Sequence, residues 1–144
     1  MNYSERFSSK FFARLLKPEG QNPIRDRATS FEIIFELLDQ KQKKDNYLIV
    51  ETGCMRGDHK PANSPYALGD DGASTYIFDD FINFYDGEVL SVDIKQANVD
   101  YADKYTSDRT SVYCSDSVKF LWDLDERNKI DFLYLDSFDL DPNN

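Results

Sequence analysis

Two kinds of hydrophobic spacing divide the chain. Up to about residue 40, apolar side chains recur every three or four positions: Phe7, Phe11, Phe12, Leu15 and Leu16, then Phe31, Ile34, Phe35 and Leu38. That is the period of one helical face, so two N-terminal helices are predicted. Pro18 and Gly20 end the first, and Thr29 with Glu32 has capping-box spacing at the start of the second. Neither helix converges polar groups on one point, and both read as packing elements.

After the charged stretch KQKKDN the period changes. Short unbroken apolar runs occupy residues 47–50 (YLIV), 88–94 (EVLSVDI), 110–114 (TSVYC) and 130–135 (IDFLYL), as expected of strands buried on both faces of a parallel sheet. Helical patterns separate them: 75–85 with Ile77, Phe78, Phe81 and Ile82 inward, 96–105, and 117–127 with Val118, Leu121, Trp122 and Leu124 inward. Strands alternating with helices of about ten residues predict right-handed crossovers and an α/β fold. One segment breaks the rhythm: residues 54–71, with two prolines and two glycines, exceed the two to six residues usual for a strand-to-helix loop.

The length of 144 residues predicts one domain, 1–144, divided into an N-terminal helical segment, 1–45, and a sheet-bearing part, 46–144. Apolar residues at 40% and aromatics at 15% exclude wholesale disorder. The net charge of −10 repels phosphate backbones and anionic lipid, so nucleic acid and membrane surfaces are poor partners. Without a long apolar run or a signal-peptide core, the expected location is cytoplasmic. Cys54 and Cys114 are the only cysteines and His59 the only histidine, too few for a four-ligand zinc site or a disulfide framework, and both thiols are expected reduced.

In open α/β sheets, ligands bind beyond the carboxyl ends of the strands. Here those ends are Glu51-Thr52-Gly53, Asp93, Ser115-Asp116 and Asp136. A carboxylate ending the second strand can accept hydrogen bonds from both ribose hydroxyls, and Asp93 follows Gly72 by 21 residues, close to the spacing of nucleoside-binding units. Counted from Gly53 the spacing is 40, so the simplest reading is a glycine loop that starts at Gly53 and resumes at Gly72-Ala73-Ser74-Thr75 after an insert.

These pieces resemble the class I S-adenosylmethionine-dependent methyltransferases. Glu51-Thr52-Gly53 with Gly72-Ala73-Ser74-Thr75 is similar to their E-x-G-x-x-x-G motif, opened by an insertion, and VLSVDIK, with Asp93 and Ile94, to their ribose-binding motif. Cys114-Ser115-Asp116-Ser117 resembles the segment beside the adenine, and DFLYLDS the motif ending in Asp136. The resemblance spans about residues 47–141 and is nearest to small-molecule methyltransferases. It implies a Rossmann-like parallel sheet of order 3-2-1-4 flanked by helices. It also implies S-adenosylmethionine as cofactor, a small-molecule acceptor, and O-methylation with Asp136 as the catalytic group. The implied cofactor-binding residues are Glu51, Thr52, Gly53, Gly72, Ser74, Thr75, Asp93, Ile94, Asp116 and Ser117. The chemistry agrees: Glu51 beside the loop suits a cationic ligand, whereas a dinucleotide needs a close-packed glycine cradle for its pyrophosphate.

Each residue has a plainer reading. Asp93 and Asp116 are placed to cap the helices that follow, and Gly53 and Gly72 to make turns. Asp136 with Asp139 offers oxygen ligands for a divalent metal, though no metal is expected, since aspartates in a solvated acidic loop are common. His59 reads as a bystander, Cys54 as a small loop residue, and Tyr66 as an aromatic able to cover a ligand. Only nine residues follow Leu135, whereas the family continues with three further strands, so the expectation is a truncated chain whose fourth strand is an open edge offering a route to a homo-oligomer. The alternatives are a non-catalytic nucleoside-binding or interaction module and a fragment of an NAD-dependent oxidoreductase.

Overall fold

The computed structural model of the chain describes residues 1–15, 27–56, 73–125 and 129–136, in two compact units, Met1–Lys44 and Asp45–Asn144.

In the first unit, a helical run joins α1 (Tyr3–Phe7), a π-helical stretch (Ser8–Phe12) and α2 (Ala13–Leu15). Its buried residues, Tyr3, Phe7, Phe11 and Leu15, are four apart. In a regular α-helix each four-residue step overshoots a turn by about 40°, and the wider π turn offsets that drift, keeping the stripe on one side. The stripe meets α3 (Arg27–Gln40), where Ala28, Phe31, Phe35 and Leu38 are buried. The ring centroids of Tyr3 and Phe7 lie 4.6 and 5.1 Å from that of Phe35. Asp39, near the end of α3, accepts the Tyr3 and Ser4 N–H groups at 3.2 and 2.8 Å, satisfying donors that the first turn of α1 leaves unpaired. Two expectations change. Tyr3 joins the stripe while Phe12 is only partly buried, and α3 already begins at Arg27, so Thr29 lies exposed inside it instead of capping it.

The second unit is the predicted α/β fold, a Rossmann-like four-stranded parallel sheet in the order β3-β2-β1-β4, flanked by helices. The strands are β1 (Tyr47–Thr52), β2 (Gly87–Asp93), β3 (Thr110–Cys114) and β4 (Phe132–Leu135); α4 (Ser74–Phe84), α5 (Gln96–Lys104) and α6 (Ser117–Asp123) connect them. The order steps one way from β1 to β3 and then back across β1 to β4, so right-handed crossovers place α4 and α5 on one face and α6 on the other. On the first face Tyr47 packs edge-on against Phe81 at 4.9 Å and Tyr134 against Phe78 at 5.4 Å, and Ile77, Phe78, Phe81 and Ile82 are buried as predicted. On the second, Phe120, Leu121, Leu124 and Ile130 cover Leu48, Val50 and Leu90.

Half of the predicted inward stripe of α6 is corrected: Leu121 and Leu124 face the sheet as predicted, but Val118 and Trp122 do not. Val118 and Trp122 are 68% and 78% exposed, and Phe120 turns inward to stack near Tyr113 of β3 at 5.3 Å. The helix runs only two turns, ending at Asp123, so one narrow face contacts the sheet. At the amino end of the sheet Gly87 adopts φ +137° with its Cα against the Tyr47 backbone, where a Cβ would meet the Tyr47 carbonyl oxygen at 2.0 Å. No helix among the described residues is long and apolar enough to cross a membrane.

Candidate functional site

The carboxyl ends of the four strands are laced together one residue beyond the sheet. Gly53 N–H donates to the Val92 carbonyl at 2.7 Å, Ser115 N–H to that of Asp93 at 3.0 Å, and Asp136 N–H to that of Thr52 at 2.8 Å. Gly53, in the left-handed region at φ +83°, turns the chain away from β1. Gly53, Val92, Asp93, Ile94, Ser115, Asp116 and Ser117 then line a shallow, open groove of about 70 Å³ at the strand ends. Five of the predicted cofactor residues therefore share one concavity: Gly53, Asp93, Ile94, Asp116 and Ser117.

The two groove aspartates already work in part as the plainer reading expects. Asp93 Oδ1 accepts the Lys95 N–H at 2.9 Å and the Asn98 amide at 3.2 Å, which fixes the start of α5. Among the described residues its Oδ2 meets only the Cys54 thiol, at 3.7 Å, and so keeps acceptor capacity. Asp116 is the N-cap of α6, accepting the Lys119 N–H at 3.0 Å. Cys54 is buried, and desolvation, reinforced by the charges of Asp93 and Glu51, pushes its thiol well above the usual range, so it serves as a donor and not as a nucleophile.

Glu51, Ser74 and Thr75 come together behind the groove loop, not in the lining. Glu51 is fully buried; its Oε2 accepts the Ser74 hydroxyl at 2.5 Å, and its Oε1 accepts those of Thr75 at 2.5 Å and Ser91 at 2.7 Å. Thr75 Oγ1 in turn accepts the Met55 N–H at 2.9 Å, tying the loop after Gly53 to the start of α4. Burial raises the Glu51 carboxyl to about 7; the three hydroxyls oppose that rise, and the charge of Asp136 adds to it. Ala73, the N-cap of α4, is left-handed at φ 51°, ψ 50°, a costly conformation for any residue with a Cβ. Thr52 is buried with its hydroxyl unpartnered.

Asp136 stands at the end of β4, close enough for its charge to act on Glu51. His59, Tyr66, Gly72 and Asp139 lie outside the described residues, as does most of the 54–71 insert. Among the described residues, no group of three or more His, Cys, Asp or Glu side chains is arranged to hold a metal ion.

No protein-family model matches this chain. Nor does any curated protein or solved structure show significant similarity to it. Sequence reasoning had missed Ser91, Asn98 and Met55. Ser91 carried a faint signal, a polar residue inside an apolar strand, but its pairing with Glu51 follows only from the register that sets the two side by side. Asn98 lies five residues beyond Asp93 on the first turn of a helix and had no such mark.

Proposed function

We propose that this chain binds S-adenosylmethionine at the strand-end groove and belongs to an enzyme that transfers its methyl group to a small-molecule acceptor, at a hydroxyl oxygen. The observation that carries the reading is the open acceptor face of Asp93. Its Oδ1 is held by the start of α5, which fixes the carboxylate, while among the described residues Oδ2 meets only the Cys54 thiol, and Asp93 is one of the groove-lining residues. A rigid carboxylate with one available oxygen beside an open groove at the strand ends suits ribose hydroxyls.

The rest of the donor set favours a cationic ligand. Asp93, Asp116 and Asp136 concentrate negative charge near the strand ends, which opposes a diphosphate and attracts an ammonium or sulfonium group. Asp93 would hold the ribose, and the backbone and side chains of Asp116 and Ser117 would border the base. Gly53, lacking a Cβ, allows close approach to the loop. When bound, S-adenosylmethionine supplies an electrophilic methyl carbon on sulfonium sulfur. Asp136 is the residue at hand to orient the acceptor hydroxyl and take its proton, with alignment contributing most of the rate.

Calorimetric titration with S-adenosylhomocysteine and, separately, with NAD tests the reading. S-adenosylhomocysteine is expected to bind in the micromolar range, and Asp93→Asn, which keeps Oδ1 but turns Oδ2 into a donor, is expected to weaken it about tenfold or more, the equivalent of one charge-assisted hydrogen bond. Binding of NAD without S-adenosylhomocysteine would replace this function with nucleotide-dependent redox chemistry, and binding of neither would leave a non-catalytic module.

A further inference from the structure

The Glu51 cluster is built for a carboxyl that changes protonation state. All three groups bonded to its oxygens are hydroxyls, and a hydroxyl can donate or accept. Thr75 is already committed, because its oxygen receives the Met55 N–H and its own hydrogen must go to Glu51 Oε1. Oε1 receives a second bond from Ser91, whereas Oε2 has Ser74 alone. The place for a proton is therefore Oε2, with the Ser74 bond reversed so that the carboxyl donates and Ser74 accepts.

Among the described residues, the one charge that acts on the Glu51 carboxyl, that of Asp136, is negative. From β4, Asp136 acts on Glu51 and Tyr134 stands opposite it in register; from β2, Ser91 touches it; from the loop, Cys54 feels the charges of both Glu51 and Asp93. Among the described residues no cation bonds to Glu51. A buried carboxylate without a counter-ion is costly, and a ligand cation bound two residues away, at Gly53, supplies what is missing.

We propose that Glu51 is a proton-linked positioning residue: binding of the cationic end of the ligand at the groove drives its carboxyl from the protonated to the ionised form and releases that proton to solvent. The O–H bond of the carboxyl breaks, the proton passes to buffer, and Ser74 turns its hydrogen back toward Oε2. In the ionised state all three hydroxyls donate, so the first turn of α4 and the Met55 loop are pinned to β1 and β2 while the ligand is held. By reciprocity, raising the pH tightens binding. This rests on the groove being a site for S-adenosylmethionine.

The test is titration calorimetry with S-adenosylhomocysteine, which carries the ammonium group, in buffers of different ionisation enthalpy between pH 5.5 and 9. The expected result is release of about half a proton per ligand near pH 7, falling toward zero by pH 9, with affinity rising about five- to tenfold from pH 6 to 8. Glu51→Gln is expected to abolish the release. Ser91→Ala, which removes one donor that favours the ionised form, is expected to move its maximum to higher pH, a displacement that a purely structural role would not produce. Ligand binding with no proton release near pH 7, or with release unchanged in Glu51→Gln, overturns the proposal while leaving the groove assignment intact. Failure of S-adenosylhomocysteine to bind at any pH overturns both.

Discussion

Two buried carboxylates touch the same helix and organise opposite ends of the same sheet. At the start of β3, Asp79 accepts the Ser107 and Thr110 hydroxyls at 2.7 and 2.6 Å, the Ser107 N–H at 3.1 Å and the Asn83 amide at 3.2 Å. At the end of β1, Glu51 accepts three hydroxyls, its only hydrogen-bond partners among the described residues. The Ser107 backbone N–H and the Asn83 side-chain N–H can only donate, and both meet Asp79 Oδ2, so that oxygen is fixed as an acceptor and the cluster acts as a clamp between α4 and the connection leading to β3. A set of hydroxyls can reverse, so the Glu51 cluster has more than one arrangement. Next to it lie a left-handed Ala73, an unpartnered Thr52 hydroxyl and an open groove. The unpartnered Thr52 hydroxyl and the left-handed Ala73 lie at the carboxyl end, where chemistry is expected, while the amino end carries left-handed Asn46 just before β1.

The contrast can be broken at either end. Asp79→Ala strips acceptors from Ser107 and Thr110, and urea unfolding is expected to show a loss of about 3 kcal/mol. A loss below about 1 kcal/mol would mean that Asp79 is no clamp.

Glu51 should respond to pH in the opposite sense from an ordinary ion-paired acid. Its folded-state value of about 7 lies above the 4.5 of an unperturbed carboxyl, so the folded chain binds the proton more tightly than the unfolded one. Its stabilising contribution is fully present below about pH 4.5 and disappears as pH rises through about 7. The full effect is of the order of 3 kcal/mol, taken as the difference in unfolding free energy between wild type and Glu51→Gln across that window. A difference that does not change with pH would show that Glu51 remains ionised throughout.

The smallest effect belongs to Ala73→Gly. Glycine adopts φ 51° without the Cβ clash, and thermal unfolding should show a gain of up to about 1 kcal/mol, reduced by the extra freedom of glycine in the unfolded chain. Destabilisation would mean that the Ala73 methyl, buried at 4% exposure, contributes more by packing than its backbone loses by strain.

These clusters also mark where sequence reading stops. Strands β1 and β2 and their polar ends were legible because a parallel strand buried on both faces leaves an unbroken apolar run, which Gly53 and Asp93 end; β3 and β4, at the sheet edges, are only partly buried, against the expectation for all four. The inward face of α4 was legible from its helical spacing. The α6 face was legible only in part: Leu121 and Leu124 pack on the sheet as predicted, but Phe120 and Trp122 are both large and apolar, and the surface of Leu48, Val50 and Leu90 with Tyr113 selects Phe120. Neither carboxylate cluster could be read in advance, since Asp79 meets partners 28 and 31 residues away, and Glu51 partners 23 to 40 away. The π stretch is a response to packing, since four-residue spacing alone is compatible with an ordinary helix.

The central claim, that the carboxyl end of the sheet is the ligand site and the amino end a scaffold, is tested most directly by amide NMR of the full chain with S-adenosylhomocysteine. The amides of Gly53, Ile94, Ser115 and Ser117 are expected to shift in a saturable way, while those of Gly87, Ser107 and Thr110 stay in place. Shifts concentrated at Gly87, Ser107 and Thr110, or none at any amide, would contradict it.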